Sequence, residues 1–276
     1  RGRKNWRPTI VAFCGNQLNR VPMFYLLDWI SSNRGIMKMY YLMHGDIDHN
    51  AQQRDEVEKE MKQYVKENDL ELYPRVVFSQ NFESTFDAII QSETIASLPL
   101  NTVLFDYNEF FKVNTLLPTA VRLRKNVIIL RNQAGFADFK SVDVWWNTTS
   151  NGNFMLMLAY LITHSKKWKD DYATIRLLKI VETQAEQDET TKALQTLINN
   201  ARIENILLHV LIRGGKAIED NIYEESKYCD LAIMGVPNFQ NRKSDAEIDK
   251  NIKKYTDRLK TTLIVHAHDK IDFRIN

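Results

Sequence analysis

The chain has 276 residues, 44% hydrophobic and 26% charged, which fits one large or two ordinary folded domains and excludes wholesale disorder. Lys plus Arg number 37 against 35 acidic residues, a net charge of +2 that excludes a generally basic nucleic-acid protein. Two cysteines and no CxxC pair exclude a disulfide framework and a cysteine metal site, and 9 glycines leave little material for a phosphate loop.

Short β-branched runs alternate with amphipathic stretches, the pattern of an α/β fold. Residues 9–14 read as the first strand, with Cys14 at its end. Asn19 stands where a helix cap belongs, and Pro22 falls in the first turn, where a missing N–H costs little. Met23, Leu26, Leu27 and Ile30 then give one buried stripe. Residues 36–43 read as a strand, and 52–68 as a charged helix with Val57, Met61, Tyr64 and Val65 on one face. A strand at 75–79, a helix marked by Phe82, Phe86, Ile89 and Ile90, and a strand at 102–105 follow. A helix near 116–123 and a strand at 126–130 complete five strands and four helices.

The second half repeats the plan. Residues 142–146 read as a strand and 154–164 as a very apolar helix. A strand at 175–181 precedes a helix with Leu194, Leu197, Ile198 and Ala201 inward. Strands at 206–212, 230–236 (holding Cys229 at its margin) and 262–266 are separated by a short helix at 218–226 and a long one marked by Ile248, Ile252, Tyr255 and Leu259. The expectation is two five-stranded parallel α/β subdomains, 1–135 and 136–276, packed rigidly or sharing one extended sheet. The longest apolar run, 154–162, is less than half of the ~20 residues a bilayer requires. The start, Arg1-Gly2-Arg3-Lys4, has no Met and reads as a fragment or processed product. Its basic character suits either a chance boundary or a segment beside a membrane helix.

Three constellations could carry chemistry. His44-Gly45-Asp46-Ile47-Asp48-His49 could ligate a metal at a strand end, but no second cluster completes a site, and a solvated turn is the expectation. His266 and His268 read as a surface pair. For nucleotides there is neither GxGxxG nor GxxxxGK[ST]. Gly15 stands alone after the first strand, and Gly214-Gly215 suits an anion nest or a plain turn. For nucleophilic catalysis there is no GxSxG, and neither cysteine has a recognisable His partner. No catalytic residue, cofactor or metal site is assigned. Asn147-Thr148-Thr149 is read as a chance sequon. The helix 154–162 is apolar almost all round, so Phe154, Met155 and Leu158 are candidates for an interface with a second copy or with the other half. Trp145 and Trp146, adjacent on a strand, point to opposite faces.

Asp143-Val144-Trp145-Trp146, then Gly152, the apolar helix and Trp168 between Lys167 and Lys169, resemble the cytosolic C-terminal domain of the cation-chloride cotransporters. So does the opening Asn5-Trp6-Arg7-Pro8, a strand, Gly15, then Arg20-Val21-Pro22. The resemblance implies two subdomains similar to universal stress proteins, on the cytoplasmic face of the plasma membrane. It implies as partners the protein's own transmembrane domain and a second copy in a dimer, with chloride cotransported with sodium or potassium. The connection near 182–189 is brief where animal members carry a large insertion, which suggests a prokaryotic member and carries over no phosphosite. The alternative is a free ATP-binding protein of universal-stress type.

Overall fold

The computed structural model describes residues 6–32, 35–92, 94–95 and 98–271. Residues 7–132 make one compact unit, and Trp6 with residues from 133 onward makes the other.

In the first unit the strands are β1 (Thr9–Cys14), β2 (Ile36–His44), β3 (Tyr73–Ser79), β4 (Thr102–Asp106) and β5 (Asn126–Asn132). Their order is β5-β4-β1-β2-β3, and every described pairing is parallel. All residues of β1 and β4 are buried, as continuous apolar runs at the centre of a covered parallel sheet must be. Helices α1 (Arg20–Ser31), α2 (Ile47–Glu67), α3 (Phe82–Ser92) and α4 (Val113–Arg122) join the strands. The stripe Met23, Leu26, Leu27 and Ile30 is fully buried, as its spacing requires. A two-residue hairpin, Thr94–Ile95 with Leu98–Pro99, has no counterpart in the sequence reading.

The second unit repeats the winding. Its strands are β6 (Ser141–Trp145), β7 (Thr174–Val181), β8 (Ile206–Ile212), β9 (Leu231–Gly235) and β10 (Thr261–His266). They lie in the order β8-β7-β6-β9-β10, again parallel. Helices α5 (Thr149–His164), α6 (Lys166–Asp170), α7 (Gln184–Ala201), α8 (Ile218–Ser226) and α9 (Glu247–Thr256) connect them. Helix α5 packs on β6, β7, β9 and β10 of its own sheet. That is why it is apolar almost all round, and Phe154, Met155 and Leu158 have no exposed surface. A second copy has no access to those three side chains, which corrects their reading as dimer contacts.

Three local expectations also change. Asn19 precedes α1 but makes no side-chain cap bond, because its amide is used elsewhere. Helix α2 begins at Ile47, five residues early, because the Asp46 carboxylate accepts from the His49 N–H and starts it there. Cys229 lies in the turn before β9, not in a strand. The basic start at 1–5 and residues 272–276 fall outside the described residues. Among the described residues no helix is long and apolar enough to cross a membrane.

Candidate functional site

In a parallel sheet whose strand order reverses, ligands bind beyond the strand C-termini at the reversal. The first unit reverses between β1 and β4. There the carboxylate of Asp106, with no exposed surface, accepts from the Gly15 N–H (2.9 Å), the Asn16 N–H (3.2 Å) and the Asn19 amide (2.9 Å). Burial pushes its carboxyl up from its ordinary value, while these hydrogen bonds act the other way. The backbone donors that would receive an anion already hold the chain's own. Gly15 sits in a tight place: a Cβ there would stand 3.1 Å from both the Asn108 amide and the Phe111 ring. The Cys14 thiol donates to the Asn16 carbonyl, and burial, then the Asp106 charge, push it well up, so it is an inert thiol.

The second unit reverses between β6 and β9. Asp143 and Trp145, two apart on β6, share a face. Asp143 stands opposite Arg176 of β7 in register, and the guanidinium makes two bonds to its carboxylate, 2.9 and 2.8 Å. Arg176 also donates to the Glu225 carbonyl (2.6 Å) and pairs with the Glu225 carboxylate (3.3 Å). The Ser226 hydroxyl donates to Asp143 (2.7 Å) and accepts from the Trp145 indole (3.0 Å). The Asp-x-Trp spacing therefore ties α8 to the sheet through one buried polar knot. The hydrogen bonds of Asp143 hold Arg176 firmly protonated, and burial, reinforced by Asp143, pushes the Cys229 thiol up.

Val144 and Trp146 take the other face. Trp146 lies one residue past β6, half-buried over Gly152. A Cβ at Gly152 would fall 2.2 Å from its ring, so only glycine fits. Thr148 caps α5, and Asn151 spans the strand ends: its oxygen accepts from the Ala267 N–H, and its nitrogen would meet a Cβ at Gly235 at 2.7 Å.

The other motif residues make packing and hydrogen-bond contacts. The Trp6 indole donates to Asp269 (3.1 Å) and sets its edge on Phe154. Arg7 is exposed, with its carbonyl held by Asn101, and the buried Pro8 offers its carbonyl to the Ile36 N–H. Pro22 sits in the first turn of α1. Trp168 is fully buried, edge-on to Phe136 and Phe139. His49 bonds Asp46 at 2.7 Å within a helix start, and among the described residues no group of three or more metal-ligating side chains gathers. Gly214 and Gly215 take positive φ, 65° and 75°, in a turn open to solvent. His266 is not a plain surface residue: it is part-buried against the Phe239 ring, and burial pushes its imidazole down. Sequence reasoning missed Asp106, Arg176, Ser226 and Asn151. The one signal was an acidic residue ending the apolar run Val103-Leu104-Phe105, where only a satisfied carboxylate can be buried.

The family model for solute carrier family 12 matches residues 129–227. A Caenorhabditis elegans protein, potassium/chloride cotransporter 3, is 24% identical over 226 residues, 73% of this chain and 21% of its own length. The chain thus spans about a fifth of that relative. Among solved structures, the cytoplasmic domain of a prokaryotic cation chloride cotransporter superposes with a TM-score of 0.66 at 15% identity, covering 95% of this chain and 96% of that one. A universal stress protein from Archaeoglobus fulgidus superposes at 0.60 and 12% identity, covering 94% and 98%. At these identities the structures establish the shared α/β fold, and the family match lies over the segment that holds the Asp143–Trp146 knot and Trp168. The resemblance read from the sequence is borne out: residues 129–227 match solute carrier family 12, and the chain shares its fold with the cytoplasmic domain of a prokaryotic cation chloride cotransporter.

Proposed function

We propose that the chain is the non-catalytic cytosolic regulatory and assembly domain of a membrane cotransporter that moves chloride with sodium or potassium. The observation that carries this reading is the family match over 129–227, which contains the whole β6–α5–α6–β7 segment with its Asp143, Trp146, Gly152 and Trp168 constraints. Translocation then belongs to membrane helices outside this sequence, on whose cytoplasmic side the domain sits. The test is chloride uptake by the full-length protein in proteoliposomes, with sodium and potassium gradients imposed separately. Cation-driven chloride uptake is the expected result. Uptake independent of both cations would sink the reading.

The same proposal includes a two-fold dimer. With Phe154, Met155 and Leu158 covered, the better surface is the edge strand β8, where Leu207 is 59% exposed and Ile212 38%. Sedimentation of the chain up to ~100 µM should show association, since a micromolar dimer is populated there. Leu207→Lys should weaken it by like-charge apposition and loss of apolar contact. A monomer throughout would assign any assembly to the membrane part.

A further inference from the structure

A cavity lies away from the strand C-termini. It lies at the opposite edge of the second unit's sheet, with a volume of about 540 Å³, inside the ~300–1,000 Å³ range of small-molecule sites. Its walls come from two chain segments: the run from the end of α5 through α6 into β7, and the turn entering β8. The Ile175 N–H bond to the Asn205 carbonyl (3.0 Å) stitches the segments together, and Tyr172 and Asn205 hold positive φ, 56° and 63°, as the chain turns around the opening. The floor is apolar, from Ala173 and Ile175. The charged groups come one from each segment: Lys169 from α6 and Glu204 from the turn before β8. Among the described residues neither has an ion-pair partner, and the two do not pair with each other, although Lys167 and Asp171 nearby do pair. His164 is fixed at the rim by its Nδ1 against the Tyr160 carbonyl (2.9 Å) and its ring on the Tyr160 ring (3.9 Å), which leaves Nε2 available.

We infer that this cavity binds a small amphipathic zwitterion of the α-amino-acid class. The ligand's carboxylate would meet Lys169, its ammonium Glu204 and the Nε2 lone pair of His164, and its apolar body the Ala173–Ile175 floor. A purely anionic ligand would face Glu204, and a purely cationic one would face Lys169. Only a ligand with both charges gains from both groups, by charge-assisted hydrogen bonds that are roughly twice as strong as neutral ones. The inference stands on the cavity alone and does not depend on the transport reading.

The test is titration of the 276-residue chain with L-phenylalanine, followed by amide chemical shifts, with 2-phenylethylamine and 3-phenylpropionate as the single-charge counterparts. Phenylalanine should bind with a Kd on the order of 0.1–1 mM, as a dozen heavy atoms allow. The shifts should centre on residues 163–175 and 204–205. Each single-charge compound should bind about tenfold more weakly or worse, as should phenylalanine to Lys169→Met and to Glu204→Gln. Both variants change exposed side chains, and their spectra report whether the fold is kept. Absence of shifts at 20-fold above that range, equal binding of all three compounds, or affinity unchanged in both variants would overturn the assignment. If one variant fails to fold, the three-compound comparison on the unaltered chain still decides.

Discussion

Each unit buries an aspartate of a central strand completely, and the two are satisfied in opposite ways. Asp143 has a cation: Arg176 grips it with two bonds from the neighbouring strand, and Ser226 adds a third. Asp106 has neutral donors: two backbone N–H groups and the Asn19 amide. The same winding, strand order and depth thus produce a structural ion pair in one unit and a self-occupied anion cradle in the other. The comparison teaches that a shared fold fixes where a buried carboxylate can go, while neighbouring side chains fix what it does.

The largest effect should separate these two residues. Asp143→Asn leaves a guanidinium facing a neutral amide whose NH₂ also donates. Removing one partner of a buried pair costs ~3–5 kcal/mol. Asp106→Asn removes a buried charge that has no cation and keeps one acceptor oxygen, so the cost should be nearer ~1–2 kcal/mol. Urea midpoints of the two variants at neutral pH test this. Equal losses would mean that Arg176 contributes no more to Asp143 than peptide groups do to Asp106.

A second contrast uses acid. Glu58, buried on α2, accepts from Arg54, Lys62, Arg75 and the Val76 N–H, and so clasps α2 to β3. Burial acts upward on its carboxyl, but the Lys62 and Val76 hydrogen bonds and the Arg54 charge outweigh it and bring it down to about 2. A depressed carboxyl contributes stability above its unfolded value of ~4.3 that disappears as pH falls through the folded one. That contribution, on the order of 2–3 kcal/mol, should be lost between roughly pH 5 and 2 and should be missing in Glu58→Gln at every pH. Asp106, pushed upward, has the opposite sign: its contribution is present below the unfolded value and is lost as pH rises through the folded one. Stability against pH for the unaltered chain, Glu58→Gln and Asp106→Asn distinguishes the two carboxylates. An acid loss of the same size in Glu58→Gln and the unaltered chain would remove Glu58 from the account.

How much of this the sequence carried depends on the range of the interaction. The β1 run and the α1 stripe were legible because burial on both faces of a sheet writes a continuous apolar run, and burial of one helix face a period of 3.6, into adjacent residues. The apolar run of α5 was legible too, but not its partner: a helix surrounded by its own strands and one facing another chain have the same composition. The Asp143–Trp146 segment was visible as a motif, yet its reason was not, since Arg176 and Ser226 lie 33 and 83 residues away. Asn19 shows the converse. Its position is that of a helix cap, and only the fold brings Asp106, 87 residues on, to claim its amide.

A smaller effect probes the second unit's reversal point. Trp146 and Gly152 share one space, so Gly152→Ala should cost ~1–3 kcal/mol by overpacking even though alanine favours a helix. Trp146→Ala alone should cost less than Trp145→Ala, because the Trp146 indole is half-exposed and Trp145 is buried with its N–H bonded to Ser226. Combined with Trp146→Ala, the Gly152→Ala change should become nearly neutral. Neighbours competing for one volume give coupling of this kind, on the order of 0.5–3 kcal/mol. Strict additivity in a four-way comparison of denaturation midpoints would show that the ring moves aside freely.

The last expectation is of no effect at all. Protein units with this strand order commonly hold nucleotides at the reversal, which makes ATP the obvious ligand to try. Binding a phosphate needs several N–H donors converging at a strand–helix turn. In the first unit the Gly15 and Asn16 N–H groups face that way, but both already donate to Asp106. An incoming phosphate would have to displace a carboxylate that is tethered there, or bind beside it against charge repulsion. In the second unit Asn151 accepts from the Ala267 N–H beyond β10 and lies against Gly235 at the end of β9, and the glycines at 214–215 form a solvent-facing turn. Calorimetry with ATP at ~1 mM should therefore give no heat beyond dilution, where a site with a Kd of 1 µM would be saturated. Micromolar affinity would show that Asp106 swings out to admit phosphate, and Asp106→Asn would then be expected to tighten binding. That outcome would erase the contrast between the two aspartates and restore the reading of a nucleotide-binding stress-type protein.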